Sequence, residues 1–494
     1  MKSSEYNPKL LLDKAIDILT CKIVIWEPKN KNTIDVPEPP DDKCLVIREC
    51  LNIEIEESYK KLIGTASIKF PRGTIIKRTL TEEQLKKDGA NTVYTDRLAD
   101  GTITEKRANE TVAQPSDFKV GQRIRIYLGY YRDKPGYVYK NAEEHQKAIN
   151  DAATATDKNL MFDGYITKCS VSTPIEIKCE NLASNLKRKN CRKVPKIKNA
   201  TVNDFLKEGG KYYLLKGTGL KLDPETAKCN INIGMIQLSE DLTVADVLTE
   251  WSKYKLYCFI RTGSDGIPYL KVGRSYFSAK TAESIVNQNQ SETAPVIQFD
   301  YHVANDNLTL MNTDPKFLAV SAEGFKYQSD SDGKLKQIKY SITIRLNPEW
   351  EGKHDTKHKK FQLLNETKLS KKAMKLGAVP KSKTPNKVDL SQYTVIPYTS
   401  NRINITEEEL IKEAEAYFDG YNMNGIEGSV TVFGDRNLKS GMKVELLDIR
   451  QPEKNGWYLI EEVNTNFGIN GYRQTLKLPY CIARADKEES KNDK

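Results

Sequence analysis

Apolar and polar residues alternate with a period of two along most of this chain. KCLVIRECLNIEIEES, GTASIKF, QRIRIYLGYY, LMFDGYITKCSVS and PIEIKCE carry the pattern first. PYLKVGRSYF, PVIQFDYHV, KFLAVSAEGFKY and LKQIKYSITIRL continue it, and a meander of EGSVTVFG, MKVELLDIR, WYLIEEVNTNFG and YRQTLKLPY follows. Period two sends alternate side chains to opposite faces of a strand, one toward a core and one toward water. Strands this numerous, separated by Gly, Asp, Asn and Pro, predict barrels or sandwiches, with hairpin turns at Asp265-Gly266 and Asp332-Gly333.

Helical signals are fewer. Thr201 caps TVNDFLKEG, and Thr243 caps LTVADVLTEWSKY, where Val244, Val247, Leu248 and Trp251 fall on one face. Thr406 caps ITEEELIKEAEAYFDGYN, with acids in its first turn and Gly420 at its end. The pattern therefore predicts a mainly β fold with α+β character. A first β unit spans residues 1–192, broken by a polar excursion at 77–117. A small mixed α/β unit spans 195–293. A second β unit spans 294–482, broken by a lysine-rich excursion at 350–394, and 483–494 is a polar tail. Three units suit 494 residues, which are too many for a single core.

Composition narrows the class. Hydrophobic residues at 38% and charged residues at 29% describe a soluble chain, and no stretch approaches the roughly 20 apolar residues that cross a bilayer. The N-terminal MKSSEYNPKLLLDKAIDILTCKIVIWEP carries charges through its apolar stretch and no small-residue cleavage site, so a signal peptide is not expected. Nine cysteines without a CxxC predict neither a zinc site nor a disulfide framework, but reduced, buried side chains in a protein made in the cytosol.

The net charge of +10 is uneven. Residues 353–387 hold eleven lysines against Asp355 and Glu366, a local +9, and 187–198 hold seven basic residues and no acid, a local +7. The remainder is mildly acidic, which is not the charge distribution of a uniformly basic nucleic-acid binder. Each patch has two readings, a solvated loop or a contact for a polyanion or an acidic partner. Few aromatics accompany the lysines to stack on bases.

Catalytic patterns are missing. His354 and His358 stand four apart without the Glu of HExxH and among lysines that repel a cation, while His145 and His302 stand alone. There is no phosphate-binding P-loop and no GxSxG elbow. Glu54/Glu56 and Glu461/Glu462 are carboxylate pairs, but the first alternates with Ile and so lines the outer face of a strand. No cofactor, metal or catalytic residue is expected.

The meander supplies a resemblance. Gly434, Asp435, Leu438, Gly441 and Val444 form a G-D-x-x-L-x-x-G-x-x-V turn. Gly456, Tyr458, Ile460 and Val463 follow as G-x-Y-x-I-x-x-V, then Gly471, Tyr472, Gln474 and Leu476 as G-Y-x-Q-x-L. Earlier, Gly121 precedes one strand and Phe162, Gly164 and Ile166 mark an F-x-G-x-I strand. Together these resemble the phage tail baseplate hub proteins, the late control D family and the N-terminal hub part of VgrG. The resemblance covers most of the chain, and its motifs are signatures of turns and cores. It implies two tube-like β-barrel domains and a structural role in a virion tail or injection-machine baseplate assembled in the bacterial cytoplasm. Three copies would form a pseudo-six-fold ring joining a hexameric tail tube protein to a trimeric spike or tail-tip protein. The central channel would pass DNA or cargo, with the tape measure protein as a further partner. Lys357, Lys359, Lys360, Lys371, Lys372, Lys187, Arg188 and Lys189 are the expected contacts with lumen or partner. Unlike VgrG, the sequence has no spike region after its last strand, so spike and lytic domains are expected on other polypeptides. Two alternatives stay open, a tail-associated peptidoglycan hydrolase and a polyanion- or receptor-binding tail module.

Overall fold

The computed structural model describes residues 17–28, 38, 44–77, 93–97, 103–107, 110–132, 144, 147–149, 159–252, 256–262, 267–274, 284–288, 294–310, 315–329, 335–350, 357, 359–367, 390–403, 405–421, 426–434, 438–479 and 481–483. The fold is mainly β, and a fourteen-stranded antiparallel sheet dominates it. Its order begins with Val303–Asp306, Ile426–Phe433, Gly471–Leu478 and Glu462–Gly468, then passes to Asn52–Ser58, Thr65–Phe70, Ile175–Asn181 and Leu160–Cys169. It ends with Arg123–Arg132, Asp17–Trp26, Leu45–Ile47, Ile75–Lys77 and Glu110–Val112, while Thr309–Leu310 pairs Ile426–Phe433 off this path. C-terminal and N-terminal strands thus share one sheet.

From Asn52–Ser58 onward, the sheet coils round a single core. Ile53 and Ile55 at one end of the order share that core with Ile47 and Ile76 near the other, together with Ile23, Ile25, Ile68, Phe70, Ile124 and Ile126. A sheet can bring its two ends into one core only by curling on itself, as a barrel does. The C-terminal strands enclose a second core against a small sheet of Val296–Gln298, Lys443–Leu447, Gly456–Leu459 and Cys481–Ala483. Val444, Leu446, Tyr458, Ile460 and Val463, the alternating positions of the meander, all face this core. A ladder joins the two barrels. Glu462–Gly468 pairs Asn52–Ser58 over its full length, from Glu462 opposite Ser58 to Gly468 opposite Asn52.

Two further units sit on this frame. Helices Val202–Leu206, Pro224–Cys229 and Val244–Ser252 pack on the strands of 194–274, and their core takes in Leu62, Tyr165, Leu182 and Leu186 of the first barrel. Thr201 and Thr243 cap their helices as expected, each accepting a bond from the backbone N–H three residues on. Within 294–482 the apolar residues form two cores rather than one. Phe361–Thr367, Leu335–Leu346, Leu318–Ser329 and Thr394–Ile403 make a separate sheet, covered by helix Glu407–Tyr421, with Val320, Ile342, Ile344, Leu410, Ala414 and Phe418 between them. The cause is the helix, whose apolar stripe closes one face of that sheet. Thr406 caps it, and it runs one residue past Gly420.

The excursions contain structure. Val93–Arg97 pairs with Ile103–Arg107, and Glu110–Val112 joins the edge of the large sheet. Phe361–Thr367 pairs with Leu335–Leu346. The Asp265-Gly266 and Asp332-Gly333 turns lie outside the described residues, between strands whose ends pair at Thr262/Pro268 and Ser329/Leu335. No helix among the described residues is long and apolar enough to cross a membrane.

Phe467 tests the joint between the barrels. It lies on the linking strand, is 5% exposed in the core of the first barrel, and meets Tyr472 edge-on at 5.6 Å. Phe467→Ala should cost about 3–5 kcal/mol. Thermal unfolding followed by near-UV circular dichroism should remain one transition, because the strand belongs to both cores; two separated transitions would show independent barrels.

Candidate functional site at the junction of the units

Three units meet at one place. Tyr59, in the loop after Asn52–Ser58, is fully buried and contacts Tyr257 (5.6 Å, edge-on) and Phe259 (6.3 Å) of the α/β unit. Ile285 and Leu459 complete the cluster, so each unit contributes an apolar side chain. The turn at 438–442 reaches the same place, and here the glycines of the meander acquire a physical meaning. Gly441 has φ of +79°, and a Cβ there would stand 3.0 Å from the Phe259 ring. Glycine thus provides both the left-handed backbone and the close approach. A Cβ on Gly434 would fall 2.2 Å from the Tyr472 ring. Gly456 opens its strand, Gly471 turns the hairpin between the last two long strands, and Asp435 lies outside the described residues.

Gln474 is wholly buried and acts as a substitute strand for the turn. Its Nε2 donates to the Leu438 carbonyl at 3.1 Å and its Oε1 accepts from the Leu438 N–H at 3.1 Å. A second bond from Nε2 reaches Thr465 Oγ1 at 3.2 Å. Tyr458 is buried in the second core and its hydroxyl donates to the Lys454 carbonyl at 3.0 Å. An ion pair locks the edge of the junction. Glu461, 5% exposed at its side chain, binds Lys477 at 2.9 Å and also Lys60, while its carbonyl accepts from the Tyr59 N–H. Burial alone would raise the Glu461 carboxyl; the bonds from Lys60 and Lys477 outweigh it and hold the group below its usual range.

A cavity of about 180 Å³ opens beside this junction, lined by residues of all three units, among them Glu57, Met161, Asp163, Arg261 and Lys439. Lys439 donates to the Met161 carbonyl at 2.8 Å and stands 3.8 Å from Glu57. Burial pushes its ammonium below the ordinary lysine value, Glu57 opposes that, and Arg261 adds to it. The space is smaller than the roughly 300–1,000 Å³ of typical ligand pockets, and its lysine is already held by the chain. Asp163 of the cavity wall is held by Arg123, 1% exposed, which forks onto it with two bonds of 2.7 Å and stacks over Tyr165 at 5.3 Å. Arg125 reaches Asp163 at 3.1 Å. Arg123 and Arg125 alternate with Ile124 and Ile126 in QRIRIYLGYY, but nothing in the sequence pairs them with Asp163.

The basic residues fall in two different places. Lys187 binds Glu180 at 2.8 Å at the end of the first barrel, Arg188 is exposed beside it, and Lys189 donates to the Lys216 carbonyl. Lys357, Lys359 and Lys360 precede strand Phe361–Thr367 of the separate sheet, and Lys360 grips Asp419 of the covering helix at 2.6 Å. Lys371 and Lys372 lie outside the described residues, as do His145, His354 and His358. His302 accepts the Gln298 N–H at Nδ1. Among the described residues, no group of three His, Cys, Asp or Glu could hold a metal ion.

No family model matches the chain, and none of the curated proteins does. Among solved structures it is similar to the 43 kDa tail protein of prophage MuSo2 from Shewanella oneidensis (10% identity, TM-score 0.42, covering 93% of this chain and 98% of that one). It is similar at the same identity and TM-score to the tail protein from Neisseria meningitidis MC58, covering 93% of this chain and 96% of that one. A third is the half-lidded PdpA-VgrG complex of Francisella (9% identity, TM-score 0.42), of which the match covers 60% of that chain and 96% of this one. These are likenesses of fold.

Two measurements probe the junction. Gln474→Leu should cost about 1–3 kcal/mol, because it strips the buried N–H and C=O of Leu438 of their partner; denaturant unfolding with an unchanged midpoint would refute that role. The lowered Glu461 carboxyl adds stability that is present above the pH where a free glutamate ionises and is lost as pH falls through the lower folded value. Glu461→Gln should remove about 1–3 kcal/mol at neutral pH, the half-exposed lysines keeping it modest, and should flatten the acid limb of the stability curve. An acid limb identical to wild type would locate that pH dependence elsewhere.

Proposed function

We propose that this chain is a non-enzymatic structural hub of a phage tail or related injection machine. Three copies form a ring in which six barrels alternate round one axis, matching a six-fold tube on one side and a three-fold spike or tail tip on the other. The observation that carries the reading is the linking ladder. It sets two barrels side by side in one sheet, so each subunit supplies two positions, and a closed ring of three is one way a head-to-tail contact can end.

The outward face of the joined sheet supports it. Opposite the two cores, a row of directly paired positions runs Thr431, Thr475, Asn464, Glu56, Thr65, Glu180 across both barrels. Every residue in it is polar, and Thr431 and Thr475 bond through their hydroxyls at 3.0 Å. A sheet with one face in two cores and a polar stretch on the other, ending at Tyr165 where the α/β core begins, suits part of the wall of a water-filled channel that passes DNA or another cargo. The α/β unit, whose core buries Tyr165 next to Glu180, would border that stretch on the same face, and the inserted sheet with its helix would meet the tape measure protein, tube or spike.

Electron microscopy of assembled particles carrying tagged subunits tests this directly. Three copies with alternating barrels are expected; six copies, or barrels that do not lie in one ring, would defeat the proposal. Purified protein should also give no lytic band on cell-wall zymograms, and a band abolished by substituting acidic residues would favour the hydrolase reading instead.

A further inference from the structure

We propose that Cys21 and Cys50 form a reversible disulfide that pins the connection between Leu45–Ile47 and Asn52–Ser58 to strand Asp17–Trp26 at the seam of the first barrel. Their sulfurs lie 3.9 Å apart although 29 residues separate them. Cys21 is on strand Asp17–Trp26, buried against the barrel core, and its Sγ also donates to the Arg48 carbonyl at 3.1 Å. Cys50 is half-buried in the short connection between Leu45–Ile47 and Asn52–Ser58. In the order of the sheet, Asp17–Trp26 and Asn52–Ser58 are separated by four intervening strands. The sulfur contact therefore ties Asp17–Trp26 to the connection by which its ladder partner, Leu45–Ile47, passes to Asn52–Ser58, where the two ends of the curled sheet come together.

The chemistry suits the pair. Residues 48–50 lie outside any strand, so Cys50 is free of a ladder and can move its sulfur the roughly 2 Å that separates contact from a bond of about 2.05 Å. The hydrogen bond to Cys50 and burial both push the Cys21 thiol up, which makes Cys50 the first attacker and Cys21 the resolving group. With a small disulfide such as oxidised glutathione, the Cys50 thiolate attacks one sulfur and releases one glutathione thiolate, leaving a mixed disulfide. The Cys21 thiolate then attacks Cys50 Sγ and releases the second. Two protein thiols lose two protons and two electrons, and one glutathione disulfide becomes two thiols. A reducing cytosol keeps the pair open, and an oxidising medium closes it.

The test uses the purified full-length chain, incubated with oxidised glutathione, quenched with iodoacetamide and mapped by mass spectrometry. The expected result is a Cys21–Cys50 cross-linked peptide and a rise in thermal midpoint of about 5–10 °C. Both should vanish in Cys50→Ser and persist in Cys229→Ser. Separately alkylated Cys21 and Cys50, a lasting glutathione adduct on Cys50, or a link from Cys50 to Cys44 would each overturn the proposal. The wild-type peptide map decides the matter even if Cys50→Ser folds poorly.

Discussion

Everything in this molecule is referred to one antiparallel ladder, Asn52–Ser58 against Glu462–Gly468. Without it, Asn52–Ser58 would be an open edge of the first barrel, a row of unpaired backbone groups that invites association with other chains. The segment carries Glu54, Glu56 and Glu57 in a stretch of seven residues, the charge that protects an edge until its partner arrives. That partner lies some 400 residues further along the sequence, so the pairing carries a large loop-closure cost and belongs late in folding. The C-terminal strand also delivers Phe467 into the first core. The first barrel is therefore complete only when the second is.

The junction extends the same logic to the third unit. The turn at 438–442 leans on Phe259 through Gly441, on the sheet through Gln474, and on the first barrel through Lys439 and Met161. One loop is thereby fixed against three bodies by three different forces: close packing, a substitute backbone pairing, and a buried ammonium. Such rigid placement would matter in the proposed ring, where an error in angle within each copy is multiplied.

The fold was legible where it depends on local pattern. The meander, the caps at Thr201, Thr243 and Thr406, and the core positions from Val444 to Val463 follow from periodicity and turn chemistry. The ladder between the barrels was not legible, because strand partners leave no mark in a single sequence beyond a shared alternation. The same limit hid Asp163 beneath Arg123 and left Gln474 as a motif letter without a role. The separate core under helix Glu407–Tyr421 was missed for a related reason: alternation marks a buried face without saying which body buries it.

The charge distribution then takes on a different sense from the one composition suggests. Lysine clusters invite a role in gripping a polyanion, yet a channel must let its cargo leave, and each phosphate contact strengthens retention in a salt-dependent way. Three of the described clustered lysines are spent on the chain itself, Lys360 on Asp419, Lys187 on Glu180 and Lys189 on the Lys216 carbonyl. The joined sheet meanwhile presents hydroxyls, amides and carboxylates in register across both barrels. The row itself carries no cation, although Arg473, Lys477, Lys69 and Lys178 flank it on the same face, Lys477 bound to Glu461. In a hub, the lysine-rich segments are then better placed outward, where persistent contact with a neighbouring protein is an advantage, and the polar row inward, where weak contact is.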